Sequence, residues 1–131
     1  LYYYLNPDFT WDLNDRLQWS SAFRYKRTDF LDRDDDPTNL LAKTEFTVKL
    51  LDDLKVTPFV QGVFDLHPAV AVEKTQQTYT AGLSVESRLG RETRLSGRYR
   101  GIARLPLGEG SEVDEYVNHE FGLNLSWDPN K

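Results

Sequence analysis

Residues 116–127 read Tyr-Val-Asn-His-Glu-Phe-Gly-Leu-Asn-Leu-Ser-Trp. In an extended chain successive side chains point to opposite faces. Phe121, Leu123, Leu125 and Trp127 therefore share one face, and Glu120, Gly122, Asn124 and Ser126 share the other. The stretch is twelve residues long. Strands of soluble domains average roughly 5–6 residues, whereas a tilted strand crossing a bilayer needs roughly 9–11.

The same alternation extends upstream. Leu1–Leu5 is short, apolar and aromatic, and Asn6-Pro7-Asp8 reads as a turn signal. Phe9, Trp11 and Leu13 then alternate with Thr10 and Asp12, and Asn14-Asp15 reads as a tight turn. From Arg16 to about Thr28, Leu17, Trp19, Phe23 and Tyr25 oppose Gln18, Ser20, Ala22, Arg24 and Lys26. Further strands are expected over Asn39–Leu51, Leu54–Leu66, Gln77–Ser87 and Glu92–Arg104. Polar loops fall at Asp29–Thr38, His67–Gln76 and Leu105–Glu115, with tight turns at Asp52-Asp53 and Leu89-Gly90-Arg91.

No stretch keeps a helical period, so the expectation is an all-β antiparallel meander over residues 1–131, read as a single domain. Tight turns begin at residues 14, 52 and 89, and the last strand ends at 127, a spacing of 37 or 38 residues. Short turns thus lie on one side and long loops on the other, the layout of transmembrane barrels. Trp11, Trp19 and Trp127 lie near the short-turn side, while Tyr25, Phe64, Tyr79 and Tyr116 lie toward the long loops. Amphipathic rings favour the two membrane interfaces. About ten residues rising ~3.3 Å each and tilted ~45° span about 23 Å, near the apolar band of about 25 Å. These seven aromatics are the expected interface residues. Pro58, Gly62, Gly97 and Gly101 on the apolar side, and Leu41, Phe59, Val63 and Ile102 on the polar side, resist the pattern; local packing or bulges are the expected reason.

Composition narrows the classes. The net charge is −5, with 39% hydrophobic and 28% charged residues. That balance argues against nucleic-acid binding, which needs a basic stripe. There is no cysteine, hence no disulfide or thiolate site. No run approaches the roughly 18 apolar residues of a membrane helix, but barrel strands show lipid only every second residue. The chain begins at Leu1 without Met or a signal peptide, as a processed or partial chain would.

The polar face carries the most informative constellation. Arg94, Arg98 and Arg100 project from one strand, Glu86 from the strand before and Glu120 from the strand after. Arg24, Lys43 and Glu45 come from earlier strands, with Lys26, Lys49, Lys55 and Asp65. In a narrow barrel these would form a cross-strand ion-pair lattice filling the lumen, with Arg98 near Glu86 or Glu120. In a wide one they would line water. No cofactor, metal site or catalytic residue is expected. Asp32 to Asp36 resembles a calcium loop, but positions six and twelve would be Pro37 and Lys43, where an EF-hand needs Gly and Glu. His67 lies beside Pro68 in a loop, and His119 lies opposite in face to Glu120. Neither histidine has a serine two residues away, and Gly108-Glu109-Gly110 lacks the strand-to-helix setting of a phosphate loop.

The stretch EFGLNLSW resembles the assembly signal of bacterial outer-membrane β-barrels: Glu120, then Gly122, then Leu125 and a final aromatic, Trp127. The chain departs from that pattern in continuing through Asp128-Pro129-Asn130-Lys131. The resemblance implies an up-and-down transmembrane barrel in the bacterial outer membrane. About eight strands are counted, or a segment of a larger barrel. It implies membrane lipid and lipopolysaccharide, the barrel-assembly machinery and further strands or subunits as partners. It also implies a non-catalytic role in solute passage, transport or export. A small closed barrel with a structural or surface-binding role through its loops is the first alternative. A soluble ligand-binding barrel with the faces inverted is the second, although the Gly-x-Trp pattern of lipocalins is absent.

Overall fold

The computed structural model describes residues 1–29 and 36–129. Eight strands form one antiparallel sheet: β1 (Tyr2–Leu5), β2 (Asp8–Asn14), β3 (Leu17–Thr28), β4 (Thr38–Leu51), β5 (Leu54–Leu66), β6 (Gln76–Arg88), β7 (Thr93–Pro106) and β8 (Tyr116–Trp127). From β3 onward each strand is 12 to 14 residues long. Among the described residues the one helical piece is a 3-10 turn at Ala69–Lys74. Among the described residues no helix is long and apolar enough to cross a membrane.

The strands pair in chain order, as the turn spacing predicts. Arg16-to-Thr28 pairs with Asn39-to-Leu51 through partners such as Trp19–Phe46 and Tyr25–Leu40. Register shifts occur at two places, between Asp12 and Asn14 and between Lys49 and Leu51, both beside short turns. No bulge therefore explains the irregular mid-strand residues. Pro58 removes a donor from the ladder, yet pairing resumes in unchanged register on either side of it.

Asn6-Pro7-Asp8 is not a turn. β1 and β2 lie on the same edge of β3 in one continuous register, Leu5 opposite Tyr25 and Asp8 opposite Ala22. The Phe23 amide donates to the Pro7 carbonyl at 2.9 Å. In an antiparallel ladder the reciprocal bond would come from the amide of residue 7, and proline has none. The proline interrupts a single edge strand rather than reversing it. The eight strands consequently occupy seven positions across the sheet.

This changes the closure of the sheet. Every neighbouring pair is antiparallel, so an odd number of positions makes the two edges run in the same direction. The sheet is open, and β8 pairs with β7 alone. Joining its edges would create a parallel pair, whereas closed membrane barrels of this kind are antiparallel with even strand numbers. Of the expected barrel of about eight strands or segment of a larger one, the structure shows the antiparallel up-and-down sheet of eight strands, not closed.

Candidate functional site

With the register known, the two faces can be read row by row across the sheet. On one face Leu17, Val48, Val56, Val85, Gly97 and Leu123 form a row. Nearer the loops lies Phe23, Ala42, Gly62, Tyr79, Ala103 and Val117. This face is apolar but uncovered. Phe121 and Leu123 are each 81% exposed. Among the described residues the only buried hydrophobic side chain is Ala71, outside the strands.

Six of the seven expected interface aromatics lie on this apolar face. Near the short turns Trp11 lies opposite Trp19, and Trp19 stacks on Phe46 at 6.1 Å between ring centroids. The Trp19 indole donates to Thr44 Oγ1 at 2.7 Å, which satisfies its polar atom without water. Trp127 lies opposite Thr93 and donates to Glu92 at 3.3 Å. Toward the long loops Phe64 meets Tyr79 edge-on at 6.0 Å, Gly62 leaving room beneath both rings, and Tyr25 lies opposite Leu40. Tyr116 is the exception. It lies opposite Arg104 on the polar face, with the Arg104 guanidinium 5.4 Å from its ring centre. Between the two aromatic ends Ala42, Gly62, Ala81 and Gly101 form the floor of a shallow apolar hollow of about 970 Å³.

The other face is polar. Arg24, Lys43, Glu45, Glu86, Arg94, Arg98, Arg100 and Glu120 all lie on it. Leu41, Phe59, Val63 and Ile102 also lie there. Phe59 covers Gly82: a β-carbon at that glycine would come within 2.8 Å of the Phe59 ring and 2.4 Å of the Tyr99 carbonyl. Lys43 Nζ sits 5.4 Å from the same ring. Phe59 thus packs against a cross-strand neighbour and carries a cation, as sheet pairs do, and Leu41 lies opposite Val63.

Among the described residues this face carries three ion pairs, two between strands and one within β4. Arg100 grips Glu120 through two nitrogens, the Nε bond measuring 2.8 Å. Arg94 meets Glu86 at 3.7 Å, and Lys43 meets Glu45 at 3.5 Å. The expected pairing of Arg98 with Glu86 or Glu120 is corrected. Arg98 lies opposite Ser84 and Gly122, while those two carboxylates go to Arg94 and Arg100. A two-residue offset along a strand changes which row a side chain joins, and alternation alone does not reveal that offset. Arg24 donates to Asn39 at 3.2 Å. The Nε atoms of Arg24 and Arg104 are buried without a partner among the described residues. Arg88, one residue past the expected end of its strand, also belongs to this face, opposite Arg94. Extending the alternation by that one residue would have found it.

At the long-loop end residues 67–75 and 107–115 dock on each other. The Leu107 amide donates to the Thr75 carbonyl at 3.3 Å, and the Glu112 amide to the Glu73 carbonyl at 3.0 Å. Gly110 takes φ +85 where the loops touch, and a β-carbon there would crowd Val72 at 3.2 Å. His67 donates its amide to Thr75 Oγ1 at 3.1 Å. His119 lies on the apolar face, its Nδ1 3.0 Å from the Tyr99 hydroxyl. Among the described residues no group of three His, Cys, Asp or Glu is placed to hold a metal. Most of the Asp32-to-Asp36 run falls outside the described residues.

Comparison with known proteins finds no matching family model, no similar curated protein and no similar solved structure.

Proposed function

We propose that this sheet is a wall segment of a non-catalytic bacterial outer-membrane β-barrel that passes or exports solutes. The reading rests on one observation: an apolar face long enough for a bilayer, bounded by aromatics at both ends, with nothing packed on it. A soluble sandwich or ligand-binding barrel would bury that face as its core. Burying apolar area is the main driving force for folding in water, and this sheet has almost no buried apolar side chain. Lipid acyl chains on the apolar face supply the missing environment, and the antiparallel ladder satisfies the backbone there. The polar face then looks into the barrel.

The strand parity adds a requirement. Seven positions close into an antiparallel barrel only when an odd number of further strands joins β8 to the β1–β2 edge. Those strands come from sequence beyond these residues or from another chain. Barrels of 16–18 strands hold an aqueous channel, whereas about eight strands leave room only for side chains. The small closed barrel is therefore the less favoured arrangement, since it would add one strand alone.

Purification without detergent tests the reading. The chain is expected to aggregate in plain buffer and to give β-type circular dichroism in micelles or liposomes. A folded, monodisperse monomer in plain buffer would sink it.

A further inference from the structure

The chain carries a net charge of −5, yet its polar face does not share that sign. On the short-turn half of this face, from β4 to β8, stand Lys49, Lys55, Arg88, Arg94 and Arg98. Glu86 stands among them and is already engaged by Arg94, and Glu45, at the middle of β4, is engaged by Lys43. Two like-charged pairs face each other directly across strands, Lys49 with Lys55 and Arg88 with Arg94. Such pairs are destabilising in a sheet; Asp12 and Asp15 line a hollow with Lys49 and Lys55, and Glu92 and Asp128 line one with Arg88 and Arg94, whereas the hollow at Arg98 holds Glu86 as its one carboxylate. Most acidic residues lie instead in turns and loops.

We propose that this half-face is an anion-selective wall, so that the solute passed is anionic and carries oxygen acceptors, as phosphate, sulfate and carboxylate groups do. The proposal rests on the transmembrane reading above and names its class of solute. A hollow of about 410 Å³ lies among Lys55, Arg98 and Glu86, with the hydroxyls of Thr57, Ser84 and Ser96 as added donors. Gly122, opposite Arg98, leaves open space, with nothing within 4 Å of where a β-carbon would sit. Among the described residues Arg98 has no ion-pair partner across the sheet, and a guanidinium with free donors is suited to oxyanions. The acidic turn residues lie beside the two like-charged pairs and offset them in part, but none of them lines the hollow at Arg98. Exposed charges are screened over about 8 Å at physiological salt, whereas a permeating ion passes within a few ångströms of the wall. Charged side chains lining a path set its ion preference.

The test uses the folded 131-residue chain in a neutral maltoside detergent at about 0.15 M ionic strength, where screening is that short, with the trisulfonate dye pyranine as probe. Fluorescence anisotropy is expected to report binding despite the net negative charge. Lys55→Glu and Arg98→Glu should each weaken it by roughly tenfold, because each reversal changes two unit charges within a few ångströms of the dye. Arg91→Glu, the same charge change in the β6–β7 turn, should leave binding nearly unchanged. Circular dichroism checks that each variant folds, and Lys55→Gln and Arg98→Gln, with about half the charge change, replace any that does not. No binding, or equal loss from all three positions, overturns the proposal. If the chain is folded and monomeric without detergent, the membrane reading fails by that observation, while the dye still reports the sign of the face.

Discussion

Arg98 and Tyr99 are neighbours in β7 and belong to different environments. Tyr99 lies in an apolar row between Leu83 and Phe121, its ring 5.0 Å from that of Phe121. Arg98 lies in a polar row between Ser84 and Gly122. The contrast holds across the sheet. The apolar face is continuous and carries charge only at its long-loop end, where Arg27 pairs with Asp29, with a shallow floor of small residues between. The polar face is crowded, ion-paired in places and locally over-charged. A strand separates two such solvents with single-residue precision because its side-chain period is two. The difference teaches which kind of change each face tolerates. The apolar face should be sensitive to charge, and the polar face to volume and field.

The largest expected effect comes from breaking that division at Tyr99. An arginine on the lipid side near the bilayer midplane costs about 2–4 kcal/mol. Tyr99→Arg should lose that amount in urea titrations of the chain refolded into liposomes. A loss no greater than that of a surface substitution would invert the assignment of faces.

Next comes a steric change on the polar face. Gly82→Ala places a β-carbon 2.4 Å from the Tyr99 carbonyl and 2.7 Å from the Phe59 ring. The carbonyl is backbone, so the strands themselves must move. Overpacking of this sort costs about 1–3 kcal/mol. The paired variant Gly82→Ala with Phe59→Leu should recover only the ring's share, and full recovery would show that the backbone contact matters little.

Arg98→Gln should have the smallest effect. Arg98 is exposed and engages no carboxylate across the sheet, so the change is expected within about 0.5 kcal/mol. The two positions can also be compared by labelling, since the chain is free of cysteine. In liposomes a lipid-dissolved thiol probe should modify Tyr99→Cys and spare Arg98→Cys. The reverse pattern would mean that the charged face meets the lipid.

Alternation is local, so the residues themselves assigned nearly every side chain to its face. Trp19, Phe64, Tyr79 and Trp127 on one side and Arg24, Glu86, Arg100 and Glu120 on the other follow from parity alone. Tyr116 was legible in the same way, because it shares the parity of Glu120; its position near the loops had suggested the aromatic belt instead. The turn chemistry at Asn14, Asp52 and Leu89 likewise carried the order of the strands. The sequence could not distinguish a proline that reverses a chain from one that interrupts an edge strand. Asn6-Pro7-Asp8 contains the same local preferences in either case, and only pairing with β3 decided between them. That pairing reduced eight strands to seven positions and left the sheet open. Nor could parity tell that Glu86 belongs to Arg94 and Glu120 to Arg100, leaving Arg98 alone. Partner choice depends on the stagger between strands, which is set by the whole ladder and its turns. Which face a residue occupies is a property of the strand, and what it meets there is a property of the sheet.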